Sequence, residues 1–152
     1  RMPMELLSLC EEFHYKSVDE LDIPYLLNLR KDTMTVYLEK AGILNTEEDH
    51  IKRIKFHFDA GKIIFCENKK IGFLKYIEEK NFIHLIQIQI EPQFQNKGFG
   101  AKLLDFVIKE GERSNKKIVL EVLKNNPAQR LYEIKGFKII KEDLFFYQME
   151  KS

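Results

Sequence analysis

The chain has no tryptophan, few cysteines and no long hydrophobic segment. Its two cysteines, Cys10 and Cys66, match neither a disulfide framework nor a metal site, and we expect both to be reduced thiols. The four histidines show no ligand spacing either, so no metal is expected. No apolar run approaches the roughly 18 residues that a membrane-spanning helix needs, and the basic-then-apolar pattern of a signal peptide is missing. These absences predict a cytoplasmic protein without a membrane partner.

An excess of charge of either sign is also lacking. The formal net charge is +1, from 25 lysines and arginines against 24 acidic residues. Nucleic acids and anionic membranes attract proteins that carry a positive excess, so the charge balance supports neither partner. The chain does contain 44% hydrophobic and 32% charged residues, the composition of a globular protein, and its length predicts one domain over residues 2–152.

Hydrophobic periodicity predicts helices and strands in the order β-α-α-β-β-β-α-β-α-β, with strands closing the fold. Three strands with short turns between residues 62 and 91 predict an antiparallel meander. The segment that runs from strand 82–91 through a helix to strand 118–123 predicts that these two strands are parallel. The predicted fold class is therefore α/β (α+β in some schemes), with a mixed, mostly antiparallel sheet and helices on both faces.

The most informative stretch is the polar loop between strand 82–91 and the next helix. This loop carries Gln95, Gly98 and Gly100, with the glycines where the helix begins. Free N–H groups and the positive end of the helix dipole favour a phosphate there, and glycine lets the backbone approach it closely. The P-loop pattern G-x-x-x-x-G-K-[ST] is absent. Leu103 stands where a dinucleotide-binding loop has its third glycine.

A second motif lies in the segment 125–137. Its residues are Asn125, Ala128, Tyr132, Gly136 and Phe137. Together with Gln95-x-x-Gly98-x-Gly100, this segment resembles the GCN5-related N-acetyltransferases. Their acetyl-CoA loop has the pattern Q/R-x-x-G-x-G/A, and a later helix often has the pattern N-x-x-A-x-x-x-Y-x-x-x-G-F. The predicted strand order also resembles that fold over nearly the whole chain.

The resemblance implies an acyl-CoA N-acyltransferase fold with acetyl-CoA as cosubstrate. Strand 82–91 would part from strand 118–123 in a V-shaped splay, and the pantetheine arm of the cofactor would lie in the gap. The expected cofactor-binding residues are Ile88 and Ile90 through their backbones, Gln95, Asn96, Lys97, Gly98, Phe99, Gly100 and Ala101 around the pyrophosphate, and Asn125, Asn126 and Tyr132 near the arm.

The same resemblance implies direct transfer of an acetyl group to a primary amine within a ternary complex. Tyr132 would protonate the departing thiolate as a general acid, and a backbone N–H of the splayed strand would stabilise the carbonyl oxygen. The base is open, because Gln87 and Gln89 occupy the strand where a glutamate often stands, and glutamine cannot accept the proton. Glu91, Glu121 or a water relay remain as candidates.

The acceptor is also open. Arg30, Met34 and Tyr37 cluster on the first predicted helix and could contact it, although their helical spacing equally fits a structural stripe. A small molecule or a peptide could supply the amine, and a homodimer is consistent with the family. Because the strand glutamate is missing, a non-catalytic acyl-CoA-binding or sensor module on the same fold is the alternative hypothesis.

Overall fold

The computed structural model describes residues 13–152, which form a mixed α/β structure. The strands are β1 (His14–Ser17), β2 (Gly61–Cys66), β3 (Lys69–Glu78), β4 (Phe82–Ile90), β5 (Lys117–Leu123), β6 (Lys138–Glu142) and β7 (Phe146–Lys151). The helices are α1 (Ile23–Lys40), α2 (Glu47–Lys55), α3 (Phe99–Ser114) and α4 (Ala128–Ile134). The order of elements predicted from periodicity agrees with this structure.

The strands form one seven-stranded sheet in the order β1-β2-β3-β4-β5-β7-β6. Every neighbouring pair is antiparallel except β4 and β5, which are parallel. Helices α3 and α4 pack on one face of the sheet, and α1 and α2 pack on the other. The predicted fold class is confirmed.

The parallel pair β4–β5 separates soon after it begins. Only three residue pairs join the two strands, and the last is His84 with Val119. Beyond it, β4 continues to Ile90 on one side and β5 continues to Leu123 on the other, where β5 pairs with β7 instead. This is the V-shaped splay that the family resemblance implies.

A β-bulge lies in β4 at the start of the splay. Lys75 of β3 pairs with Gln87, but the next residue, Tyr76, pairs with Leu85, so Ile86 has no partner on β3. The extra residue shifts the alternation of side chains along the strand by one position. The bulge thus changes which side chains face the helices.

Core packing shows this shift directly. Before the bulge, Ile83 and Leu85 are buried in the core beside α3. After it, Ile90 joins the same core and Ile88 packs partly against it. In a strand without a bulge, Ile88 and Ile90 would lie on the sheet face opposite to that of Ile83. The bulge places them on the same face as Ile83, and it therefore directs Gln87 and Gln89 to the face covered by α1 and α2.

Lys75 connects the sheet to α2 on that face. Its side chain is fully buried, and its Nζ donates to the backbone carbonyls of Arg53, Ile54 and Phe56 at 3.3, 2.9 and 2.5 Å. These carbonyls lie at the C-terminal end of α2, where the helix dipole favours a cation. This contact fixes α2 over β3 and β4, and so positions one wall of the site described below.

The cysteine prediction needs correction. Cys66 is fully buried in β2 and is disulfide-bonded, so the expectation of two reduced thiols is wrong. Cys10, the other cysteine in the sequence, lies outside the described residues. None of the helices within residues 13–152 is both long and apolar enough to cross a membrane.

Candidate active site

A cavity of about 550 Å³ opens where β4 and β5 separate. Residues 84–89 of β4 and 121–123 of β5 form one side, and residues of α1 and α2 and their connecting loop form the other. Its volume lies within the range of small-molecule sites. The cavity exists because the splay leaves a gap in the sheet and because α1 and α2 cover the sheet face beside that gap.

Several residues predicted from the sequence line this cavity. They are Arg30, Met34, Ile88, Glu121, Asn126 and Tyr132. Tyr37 and Asn125 do not belong to the lining; instead, the side-chain amide of Asn125 donates to the backbone oxygen of Tyr37 at 3.1 Å, which links the loop before α4 to α1.

The backbone of β4 presents unpaired groups to the gap. The N–H of Glu91 donates to the carbonyl of Ile71 in β3 at 2.8 Å. Because successive backbone groups of a strand point to opposite sides, those of Ile88 and Ile90 point away from β3 and toward the gap. The side-chain amide of Gln95 donates a hydrogen bond to the backbone carbonyl of Ile90 at 2.9 Å. The N–H groups of Ile88 and Ile90 remain for an extended ligand.

The glycine loop ends at the first turn of α3. Gly98 is the residue before the helix and has φ +89, a left-handed conformation that favours glycine. The helix has no side-chain cap, so the first N–H groups of Phe99, Gly100 and Ala101 have no capping side chain. The ring of Phe99 is buried in the core, and only its backbone can meet a ligand.

The rest of the loop contributes backbone shape. Asn96 has φ 61, another left-handed position, and Lys97 is half-buried beside it. A Cβ built on Gly100 would touch nothing closer than 3.8 Å, so the protein's own packing leaves room for a side chain there. The space beside Gly100 is therefore available to a ligand.

Tyr132 lies in α4 and is 7% exposed. Its ring packs edge-on against Phe137, with 5.8 Å between centroids. Burial raises the pKa of Tyr132 to about 12. The hydroxyl is therefore protonated at neutral pH and can donate a proton into the cavity. Nearby, Asn126 accepts the N–H of Ala128 at 2.9 Å and so fixes the start of α4.

The acetyltransferase (GNAT) domain family matches residues 59–139, more than half of the chain. The chain belongs to the GNAT acetyltransferase family. The matched region includes the splayed strand β4, the glycine loop and Tyr132. This confirms the family predicted from the two motifs.

Solved GNAT structures share the fold. The chain is similar to the PaiA N-acetyltransferase of Thermoplasma acidophilum in complex with coenzyme A, with a TM-score of 0.70, 19% identity and coverage of 93% of this chain and 99% of that one. It is also similar to the ribosomal-protein-S18-alanine N-acetyltransferase of Escherichia coli, with a TM-score of 0.67, 18% identity and coverage of 91% and 92%.

Two further relatives extend the comparison. Naa50 of Arabidopsis thaliana, in complex with a bisubstrate analogue CoA-Ac-MVNAL, matches with a TM-score of 0.67 and 18% identity, covering 92% of this chain and 98% of that one. The UPF0157 protein YqkA of Bacillus subtilis is 33% identical over 70 residues, which cover 46% of this chain. The chain spans about a fifth of the length of YqkA.

Glu91, a candidate base from the sequence analysis, is not among the residues that line the cavity. Tyr25 of α1 donates its hydroxyl to one carboxylate oxygen at 2.5 Å, and Gln93 donates to the other at 2.6 Å. Burial, and then this carboxylate, raise the pKa of Tyr25 well above its usual value. Glu91 thus ties the end of β4 to α1, and the geometry does not favour it as the base.

His84 of β4 and Glu121 of β5 are titratable groups on the strand side of the cavity. Burial lowers the pKa of His84, while the Glu121 carboxylate opposes that shift. The imidazole is therefore neutral at pH 7 and able to accept a proton. The sequence analysis gave Glu121 as a candidate base and assigned no role to His84, because no local pattern shows which side chains will lie where two strands part.

Arg30 and His50 form a second pair that the sequence did not indicate. The Nε of Arg30 donates to the Nδ1 of His50 at 3.1 Å, and both side chains are buried and line the cavity. Burial, then Arg30, lower the pKa of His50. Burial, then Arg53, lower the pKa of Arg30 to about 10, which leaves it charged at neutral pH. Residues 13–152 contain no group of three or more metal-ligating side chains.

Proposed function

We propose that this GNAT protein is an acetyl-CoA-dependent N-acetyltransferase that moves an acetyl group to a primary amine. The observation that carries the proposal is a single cavity in which the open edge of β4 and Tyr132 meet at the splay. Membership of the family supports the use of an acyl-CoA, and a structural relative was solved with coenzyme A bound.

The cofactor would bind in three parts. The pyrophosphate would accept hydrogen bonds from the N–H groups of residues 98–101 at the start of α3. The pantetheine arm would pair with the open edge of β4 through Ile88 and Ile90, as an added strand does. The thioester would then reach the bulge in β4, within the cavity that Tyr132 lines.

The reaction needs a proton to leave the amine and another to reach the thiolate. The amine nitrogen attacks the thioester carbonyl, and a β4 backbone N–H stabilises the negative charge that forms on its oxygen. When the tetrahedral intermediate collapses, the C–S bond breaks and Tyr132 protonates the sulfur. The proton of the amine would leave to His84 or Glu121, either directly or through water, because Gln87 and Gln89 cannot accept it.

Gly100→Asp tests the pyrophosphate position. An aspartate in the first turn of α3 suits the helix dipole, and its Cβ meets no atom closer than 3.8 Å, so the melting temperature should be unchanged or higher. The carboxylate would repel the pyrophosphate, and we expect the KM for acetyl-CoA to rise about 10-fold or more. The matched control is Gly100→Asn, which has a similar shape without the charge. If neither variant raises the KM for acetyl-CoA above the wild-type value, the pyrophosphate lies elsewhere.

A panel of primary amines with acetyl-CoA separates catalysis from the sensor hypothesis. An enzyme releases free thiol in proportion to the amine, and the acetyl group appears on the amine. A non-catalytic module binds CoA but releases no thiol above the uncatalysed rate. Direct transfer also predicts that acetyl-CoA alone leaves no acetyl group on the protein, which intact-mass spectrometry checks.

The cytoplasmic location and the homodimer stay predictions.

A further inference from the structure

The acceptor side of the cavity contains a buried cation that lacks a carboxylate partner. Arg30 is 8% exposed, and the one side-chain hydrogen bond of its guanidinium within residues 13–152 goes to neutral His50. A guanidinium has five N–H donors, and buried arginines are normally paired with an anion. Arg30 is therefore equipped for more contacts than the described chain supplies.

The charges around Arg30 do not compensate it. Arg53, which also lines the cavity, lowers the pKa of Arg30, and Lys52 adds a third cation to the lining. Asp49 lines the cavity too, but its carboxylate accepts from the N–H and hydroxyl of Thr46 at 3.0 and 2.9 Å in the cap of α2. The other acidic residue of the lining, Glu121, is solvent-exposed on β5.

Gln87 supplies an independent second observation. It is 6% exposed and lines the same cavity, and its Oε1 has no hydrogen-bond partner. A buried oxygen without a hydrogen bond costs free energy, and a ligand that donates an N–H to this oxygen would remove that cost. The site therefore offers a buried cation and a buried hydrogen-bond acceptor, which suit a ligand that has an anion and an N–H group.

We propose that the acceptor is a small amine that also carries a free carboxylate, such as an amino acid. Arg30 binds the carboxylate, and Gln87 accepts a hydrogen bond from the amine or a neighbouring N–H. This inference rests on the proposed acetyl transfer and specifies its substrate class. It excludes a peptide N-terminus, in which the neighbouring carboxyl group is consumed in an amide bond, and polyamines, which would bring more positive charge to Arg30.

Matched substrate pairs test this directly. A set of amino acids and their C-terminal amides is assayed with acetyl-CoA, and kcat/KM is measured for each amine. Charge-assisted hydrogen bonds to a buried arginine predict about a 10- to 100-fold preference for the free acid. Aminoalkyl phosphonates and a polyamine complete the panel, and a preference for either over the carboxylates would overturn the assignment.

Variants connect the preference to the residue. In Arg30→Met the ratio of acid to amide should fall to near one, while the KM for acetyl-CoA stays unchanged. The control is Lys31→Met, which removes the next cation along α1. Lys31 forms an ion pair with Glu47, and neither residue lines the cavity. This variant should keep the wild-type ratio of acid to amide. If a folded Arg30→Met protein keeps the wild-type ratio of acid to amide, Arg30 does not bind the carboxylate and serves only to position His50.

The outcomes also distinguish this inference from the proposed function. If no amine in the panel is acetylated, the acetyltransferase proposal itself fails. If amides and acids are acetylated equally well by the wild-type protein, transfer stands and only the carboxylate assignment fails. The wild-type comparison decides the matter even if Arg30→Met does not fold.

Discussion

Tyr132→Phe should lower kcat by about 100- to 10,000-fold, the range that a positioned general acid contributes. The variant removes one oxygen and keeps the ring that packs against Phe137. Because the pKa of Tyr132 is raised to about 12 by burial, the wild-type hydroxyl holds its proton throughout the neutral range and can give it to the thiolate. The affinity for CoA and the unfolding free energy should change little.

The matched control for this variant is Tyr147→Phe. Tyr147 lies on β7, opposite Val122, and does not line the cavity. An acetyl thioester of a more acidic thiol should reduce the defect of Tyr132→Phe, since a better leaving group needs less protonation. If CoA affinity falls as far as kcat, or if kcat does not change, Tyr132 is structural rather than catalytic.

Gly72→Ala should give the largest loss of stability. A Cβ at this position would lie 2.1 Å from the backbone oxygen of Gln89, a distance that no packed structure tolerates. Gly72 pairs with Ile90 at the end of β4, so the two strands would have to separate there. Overpacking against backbone predicts a loss of about 3 kcal/mol, which lowers the melting temperature by about 6–12 °C for a chain of this size.

Chemical denaturation measures this effect, and Gly100→Ala is its control because its Cβ would meet only ordinary contacts. The Gly72 variant should also bind CoA more weakly than the wild-type protein, since separation of β3 and β4 displaces the strand edge that carries Ile88 and Ile90. Equal unfolding free energies for the two variants would mean that the close approach of β3 and β4 is not a constraint on the fold.

Local patterns predicted much of the fold. The glycine loop, the start of α3 and the segment 125–137 are short-range features, in which residue type determines backbone conformation or helix start, and they were sufficient to recognise the family. The splay followed from that recognition. Tyr132 could be chosen for the same reason, because its spacing from Gly136 and Phe137 is part of the motif.

Long-range contacts could not be predicted from the sequence. Tyr25 and Glu91 are 66 positions apart, and the hydrogen bond between them joins the end of β4 to α1. Arg30 and His50 meet only because α1 and α2 pack together over the sheet. The position of the bulge at Ile86 depends on how β3 and β4 align, which neither strand determines alone.

Backbone amide spectra of the isotope-labelled protein, recorded as CoA is added, test the central claim most directly. If the pantetheine arm pairs with the open edge of β4, the amide signals of Ile88 and Ile90 should shift together with those of residues 98–101. All of these shifts should give the same dissociation constant for CoA. The amides of β1, at the far edge of the sheet, should stay unchanged. Saturable shifts that leave Ile88 and Ile90 unaffected would contradict a cofactor site in the splay.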